Sequence, residues 1–310
     1  MAAVSANLQH VSSPKTDLDI NKIKTWDNGL IMHEDFMSPE EEAAAIASIE
    51  ADTRWTGIGK RQTLQFGYHF DYTTFEASQT DETPLPSYLS KLLSHLPLFT
   101  ETSTNADGTK EDRKYKPNQF TVQYYPPGTG IPPHVDTHSA FREAMYCLSL
   151  GSAVAIVFKK CGETEARRIR KPKRSLFKIT TPAVPTMVGS STPPLDQPSA
   201  ASNALVPADG HLEDHSQFEE NPWEVLLPPR SLLVFSGPSR YGYSHRIKGR
   251  KFDRLVDGTM LEREDRYSIT MRTVVRDGTP CRCDFPDVCD TRILEEDTRG
   301  ANEEAKVDTF

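Results

Sequence analysis

Short strand-like runs recur along the chain at 65–72, 119–125, 145–150, 153–158, 231–236 and 266–275, with Gly, Pro and Ser between several of them. Runs of that length, bounded by turn residues, predict β-strands. Two segments carry a helical period instead. Ser38, Pro39 and Glu41 supply an N-cap, a first-turn proline and a capping-box glutamate for a helix running to Glu50. Leu85, Tyr88, Leu89, Leu92, Leu93 and Leu96 form a second amphipathic stripe. The sum is a mainly β chain with flanking helices, which predicts a two-sheet jelly roll, a double-stranded β-helix, with the helices packed on a sheet.

The pattern fails in three places. Residues 1–25 are polar and patternless, and 293–310 read as an acidic tail. Between about 160 and 221, a basic run (Arg167, Arg168, Arg170, Lys171, Lys173, Arg174) leads into a stretch rich in Pro, Ser, Thr and Ala. That composition predicts a disordered insertion in a loop of one domain spanning 26–292. At 310 residues with 36% apolar content, the chain can build a sizeable core. No stretch approaches the roughly 18 apolar residues of a membrane span, and the first residues lack a signal peptide's features, so the expected setting is cytoplasmic or nuclear, with no membrane partner. A net charge of -8 argues against non-specific coating of nucleic acid.

Candidate chemistry concentrates in I-P-P-H-V-D-T-H, Ile131 to His138. In a strand, His134 and Asp136 face the same side. One more distant His completes a set that binds non-haem Fe(II) and leaves coordination positions open for a co-substrate and O2. Of the nine histidines, His245 is the best placed, just beyond the apolar run at 231–236. In R-Y-S-I-T-M-R, Arg266, Ser268, Thr270 and Arg272 share one strand face. Two inward arginines need anions, and a dicarboxylate such as 2-oxoglutarate supplies them; a surface strand with its polar face in water fits the spacing equally. Three of the five cysteines lie in C-R-C-D-F-P-D-V-C, Cys281 to Cys289, which suits metal binding in a reducing compartment.

The successive segments F-T-V-Q-Y-Y-P-P-G-T-G-I-P-P-H-V-D-T-H-S-A-F, L-S-L-G-S, P-R-S-L-L-V-F-S-G-P-S-R-Y, R-K-F-D and R-Y-S-I-T-M-R resemble the AlkB family of Fe(II)/2-oxoglutarate dioxygenases. Within that family they are most similar to the branch acting on a modified wobble uridine of tRNA. The likeness runs from about Asp27 to Arg292, apart from the insertion. It implies Fe(II) held by His134, Asp136 and His245, and 2-oxoglutarate contacted by Tyr125, Arg266 and Arg272. Gln123 stands where the family usually has Asn. It also implies structural Zn(II) on His138, Cys281, Cys283 and Cys289; this needs a turn at Thr137 or Ser139 to aim His138 away from the iron.

Substrate contacts expected from the resemblance are Arg61, Phe66, Tyr68 and Phe70 in the region of a nucleotide-recognition lid, and Arg240, Tyr241, Arg246, Lys248, Arg250 and Lys251 around His245. Base stacking and phosphate contacts need those residue types, although alternating aromatics are commonly core. The run at 167–174 reads as an RNA-backbone contact, a solvated loop or a nuclear-import signal. The function implied is hydroxylation of a 5-methoxycarbonylmethyl-type substituent on tRNA wobble uridine, with O2 as co-substrate. Two rivals stand beside it: oxidative demethylation of N-methylated bases in RNA or DNA, and a non-catalytic, metal-stabilised RNA-binding jelly roll. The chain has room for neither the RNA-recognition domain nor the methyltransferase that members of this branch often carry, so a separate tRNA methyltransferase or its adaptor is an expected partner.

Overall fold

The segment after Met37 turns helical because its first turn is satisfied from both directions: the Ser38 hydroxyl accepts from the amide of Glu41 at 3.2 Å, and the Glu41 carboxylate accepts from the amide of Ser38 at 3.0 Å. The computed structural model describes residues 20–58, 60–71, 74, 76–104, 109–162, 222–276, 278 and 280–292. In chain order its strands are β1 (Ile23–Thr25), β2 (Leu30–His33), β3 (Thr56–Ile58), β4 (Arg61–Asp71), β5 (Glu76–Thr83), β6 (Thr100–Thr104), β7 (Lys110–Lys114), β8 (Gln119–Tyr125), β9 (Ile131–His134), β10 (Phe141–Gly151), β11 (Val154–Lys160), β12 (Trp223–Leu227), β13 (Leu232–Phe235), β14 (Tyr243–Ile247), β15 (Phe252–Arg254), β16 (Met260–Glu262) and β17 (Arg266–Val274). The helices are α1 (Pro39–Glu50), α2 (Ser87–His95) and the single turn α3 (Gly237–Tyr241).

Among the described residues, a nine-stranded sheet runs β1-β2-β13-β10-β17-β8-β4-β3, with β5 paired to β4, and a four-stranded sheet runs β12-β11-β14-β9. Side-chain alternation in the large sheet builds two cores. Tyr146, Leu148 and Leu150 of β10 and Tyr267, Ile269 and Met271 of β17 face α1 and α2, where Ala45, Ile49, Leu89 and Leu92 cover them. From the opposite face, Met145, Leu233 and Phe235 meet Ile156, Phe158, Val225, Leu227, Tyr243 and Ile247 of the small sheet. This is the expected jelly roll, helices on one face. Its interior is not wholly apolar: Gln119, Thr121, Ser149, Arg266, Ser268 and Arg272 are buried on the face of β8, β10 and β17 turned from the helices.

The expected tail 1–25 ends too late. Residues 20–22 form a 3-10 turn, and β1 pairs with β2 in the register Ile23↔His33, a strand too short to declare a period. Strands β5, β6 and β7 (E-A-S-Q-T-D-E-T, T-E-T-S-T, K-E-D-R-K) carry no predictive period because, Ala77 apart, they are polar. The expected disordered insertion, from residue 163 to 221, and the acidic tail lie outside the described residues.

Residues Arg250 to Asp253, the R-K-F-D segment, serve the fold. Asp253 has no exposed surface and accepts from Arg263 Nε at 2.6 Å and Nη2 at 2.8 Å, and from Arg250 Nε at 2.6 Å. It also accepts from the amide of Ala155 at 3.3 Å, which ties the β15–β16 hairpin to the small sheet. Burial opposes ionisation of this carboxyl, but hydrogen bonds from Arg263 and then Arg250 outweigh it and hold the pKa below the usual Asp value. A depressed carboxyl stabilises the fold above its unfolded pKa, and that contribution is lost as pH falls through the folded one. Asp253→Ala strands Arg263, 5% exposed, as an unpaired charge and is expected to cost about 3–5 kcal/mol in urea unfolding at neutral pH. A cost below about 1 kcal/mol contradicts this role.

Candidate active site

Strand β9 ends at His134, so Asp136 lies just past the strand rather than on it, and residues 138–140 form a turn. His245, expected just beyond the apolar run at 231–236 with a turn to bring it back, sits within β14, because α3 returns the chain to the sheet. Strands β9 and β14 pair with His134 directly opposite His245, and their ring centroids are 4.3 Å apart. His245 Nε2 is 3.6 Å from Asp136 Oδ2. One donor atom from each of the three residues falls within 4.8 Å of the others.

The surroundings prepare these donors for a cation. With its proton on Nδ1, His134 donates to the carbonyl of Pro132 at 2.9 Å, which leaves the Nε2 lone pair available. Burial, then the neighbouring His134, pushes His245 down to about 3, so its ring is neutral at physiological pH. Burial opposes ionisation of Asp136, but Arg272 first, then His134, His245 and Arg240, outweigh it and keep the carboxyl well below the usual range. Oδ1 of Asp136 accepts from Arg272 Nη2 at 2.8 Å, leaving Oδ2 toward the histidines. Two imidazoles and one carboxylate suit Fe(II).

Arg266 lies opposite Tyr125 in the β17–β8 register, with its guanidinium 5.3 Å from the tyrosine ring. Its Nε donates to Ser149 Oγ at 3.0 Å, while Nη1 is buried without a partner among the described residues. The Tyr125 hydroxyl donates to Gln123 Oε1 at 2.7 Å, so the longer amide reaches the same corner. A small cavity lined by Tyr125, Thr129, Ser152, Val154, Ile247 and Arg266 opens there. An arginine edge and a phenol beside a cavity fit one carboxylate of a dicarboxylate. Arg272, the other arginine expected at the co-substrate, holds Asp136 in its fork and donates to Gln119 Oε1 at 3.0 Å.

Nearby, His138, Cys281, Cys283 and Cys289 bring one ligand atom each within 4.8 Å of the rest, with Cys283 Sγ 3.4 Å from His138 Nδ1. The turn at 138–140 separates His138 from the first cluster, as the spacing required. Three cysteine sulfurs and one imidazole converging in this way make a closed four-donor set of the kind that suits zinc.

The expected substrate contacts divide. Arg61 begins β4, half-buried. Tyr68 accepts from Arg276 Nη1, whose guanidinium lies 4.8 Å over the tyrosine ring; Arg276 is an exposed partner that the motifs did not reveal. Phe66 is core, 1% exposed, and Phe70 packs on Phe141 at 5.0 Å. Arg240 is also 1% exposed, donating to the carbonyls of Asp136 at 2.9 Å and Thr137 at 2.8 Å, so it braces the site from behind and shows no face to a substrate. Tyr241 packs edge-on against His138 at 5.0 Å. Lys248 and Arg250 are engaged with Glu224.

A jelly roll that aims two imidazoles and one carboxylate at a single point, with a buried arginine beside a small cavity, defines a mononuclear metal-dependent oxygenase site. The chain belongs to the 2OG-Fe(II) oxygenase superfamily, whose sequence pattern matches residues 29–272. It is a 2-oxoglutarate-dependent dioxygenase, and the family implies Fe(II) and 2-oxoglutarate. Its relatives are AlkB-like. It is 29% identical over 265 residues to an Arabidopsis thaliana protein described as an alkylated DNA repair protein ALKBH8 homolog, covering 85% of this chain and 63% of the relative. It is 30% identical over 287 residues to the Xenopus tropicalis tRNA (carboxymethyluridine(34)-5-O)-methyltransferase alkbh8, covering 87% of this chain and 35% of that protein. The chain thus spans less than two thirds of either relative's length. The solved structure of OsALKBH1 aligns with a TM-score of 0.45 at 13% identity, over 81% of this chain and 99% of that one.

Proposed function

We propose that this dioxygenase hydroxylates the 5-methoxycarbonylmethyl-type substituent of tRNA wobble uridine. The observation that carries the reaction class is the cross-strand pairing of His134 with His245 beside Asp136. The substrate reading draws on the Xenopus relative, named for action on carboxymethyluridine 34 of tRNA. In this reading His134, Asp136 and His245 hold Fe(II), and Arg266 and Tyr125 fix the distal carboxylate of 2-oxoglutarate. When bound, the iron couples oxidative decarboxylation of 2-oxoglutarate, to succinate and CO2, with hydroxylation of a substrate C–H bond by O2.

The chain's own residues position and exclude water. Arg272 holds one oxygen of Asp136 so that the other keeps its aim, and Pro132 fixes the His134 tautomer. Phe158 and Phe235 pack around His245. His138, Cys281, Cys283 and Cys289 hold structural zinc. Tyr68 and Arg276 offer a stacking face and a cation to the nucleotide. The ester on this substrate implies a prior tRNA methyltransferase reaction, which the dioxygenase site does not itself perform.

The test is mass spectrometry of nucleosides from tRNA incubated with the protein, Fe(II), 2-oxoglutarate and ascorbate. The expected product is the wobble uridine carrying one additional oxygen on its side chain. Loss of an N-methylated nucleoside with formaldehyde release, and no change at the wobble uridine, would establish demethylation instead.

A further inference from the structure

Only Thr137 separates Asp136 of the iron-type site from His138 of the thiolate cluster, and this link is gripped on both sides. Arg240, at the end of α3, donates to the carbonyls of Asp136 at 2.9 Å, Thr137 at 2.8 Å and Phe141 at 3.4 Å. From the other side the carboxylate of Asp290 accepts from the amides of His138 at 2.9 Å and Ser139 at 3.1 Å, and from the Ser139 hydroxyl. Asp290 directly follows Cys289, so whatever orders the cysteine segment orders this clamp. The same segment also sets Arg240. The ring of Phe285, between Cys283 and Cys289, lies so close to Gly242 that a Cβ there would sit 2.1 Å from Cε1. Gly242 caps α3, two residues after Arg240 and three before His245.

We infer that occupancy of the Cys281/Cys283/Cys289/His138 cluster by zinc sets the Fe(II) affinity of the His134/Asp136/His245 site, with Arg240 and Asp290 as the positioning residues that transmit it. The inference rests on the metal assignments proposed above but not on the RNA substrate. A guanidinium 1% exposed among backbone carbonyls is an expensive way to fill space. Its forked donors fix two successive carbonyls at once. They thereby fix the backbone angles from which the Asp136 side chain departs. With the cysteine segment ordered by zinc, Asp136 arrives pre-aimed; without it, Fe(II) binding itself must order the link. Coupling of this kind is reciprocal, so bound Fe(II) also tightens zinc binding at the thiolates by the same factor.

The experiment is anaerobic Fe(II) titration in the presence of 2-oxoglutarate, read by the visible charge-transfer absorption of the Fe(II)–2-oxoglutarate chelate, which reports the His/Asp/His site alone. It is run on zinc-loaded and zinc-depleted wild type, and on zinc-loaded and zinc-depleted Arg240→Lys and Asp290→Asn, with zinc content and thermal unfolding measured in parallel. Zinc depletion is expected to weaken Fe(II) binding of the wild type about tenfold. Arg240→Lys keeps the charge but loses the fork; loaded with zinc, it is expected to bind Fe(II) about tenfold more weakly, and the zinc dependence is expected to collapse. Zinc-loaded, folded Arg240→Lys and Asp290→Asn proteins that bind Fe(II) like the wild type overturn the inference, even if their unfolding temperatures fall, since a mere brace moves only the latter. This readout involves no RNA. Intact linkage in a protein inert toward tRNA would overturn the substrate reading alone, and lost linkage in an active enzyme would overturn only the coupling.

Discussion

His245→Ala is expected to reduce Fe(II) retention and 2-oxoglutarate turnover by more than about 100-fold, since losing even the outer partners of metal ligands costs about 10- to 100-fold. The imidazole is one of three donors, and its neighbours do not replace it: His134 faces it at 4.3 Å, Phe235 at 5.1 Å and Phe158 at 6.2 Å. The fold should survive, because β14 is held by backbone pairing with both β11 and β9 and not by this ring. Metal analysis of the purified variant and its circular dichroism separate the two effects. Wild-type iron content in a variant of native spectrum would remove His245 from the site.

Arg266→Met is expected to raise the KM for 2-oxoglutarate by about 100- to 1,000-fold, corresponding to about 3–4 kcal/mol for removing the buried cationic partner of a carboxylate. Fe(II) retention should change little, since Arg266 donates to Ser149 and not to an iron-site residue. Stability gives the second signature. Arg266 is buried with a hydroxyl as its acceptor, so a methionine of similar length should leave the unfolding temperature unchanged or raise it. Asp253→Ala should do the reverse, because there a buried arginine loses its carboxylate. Succinate formation against 2-oxoglutarate concentration and a thermal melt measure both; an unchanged KM would place the co-substrate grip elsewhere.

Legibility of the fold follows the apolar signal. Strands β8, β10, β11, β13 and β17 are evident because each carries a face of Val, Ile, Leu, Phe or Tyr that packs in one of the two cores. Strands β5, β6 and β7 carry no apolar residue but Ala77, so no period marks them. Strand β1 is three residues long, below the reach of any period. In the site, His134, Asp136 and His245 are legible as residue types at recognised spacing, but their geometry is not. Asp136 leaves the strand, and His245 enters one, because α3 and the turn at 138–140 redirect the chain. Arg240 misleads for a physical reason: an arginine in a polar, basic stretch suggests surface. Its acceptors are carbonyls about a hundred residues earlier, and hydrogen bonds of that span leave no local pattern. Asp290 is hidden for the same reason, 152 residues from the amide it accepts.

The dioxygenase account is tested most directly by following 2-oxoglutarate, succinate and the modified nucleoside together in one reaction of the protein with Fe(II), O2 and tRNA. The account predicts succinate formation that requires Fe(II), disappears in His134→Ala, and matches hydroxylated wobble uridine about mole for mole once turnover without substrate is subtracted. Succinate that forms equally in His134→Ala, or that tRNA neither stimulates nor accompanies with an oxidised nucleoside, would contradict it.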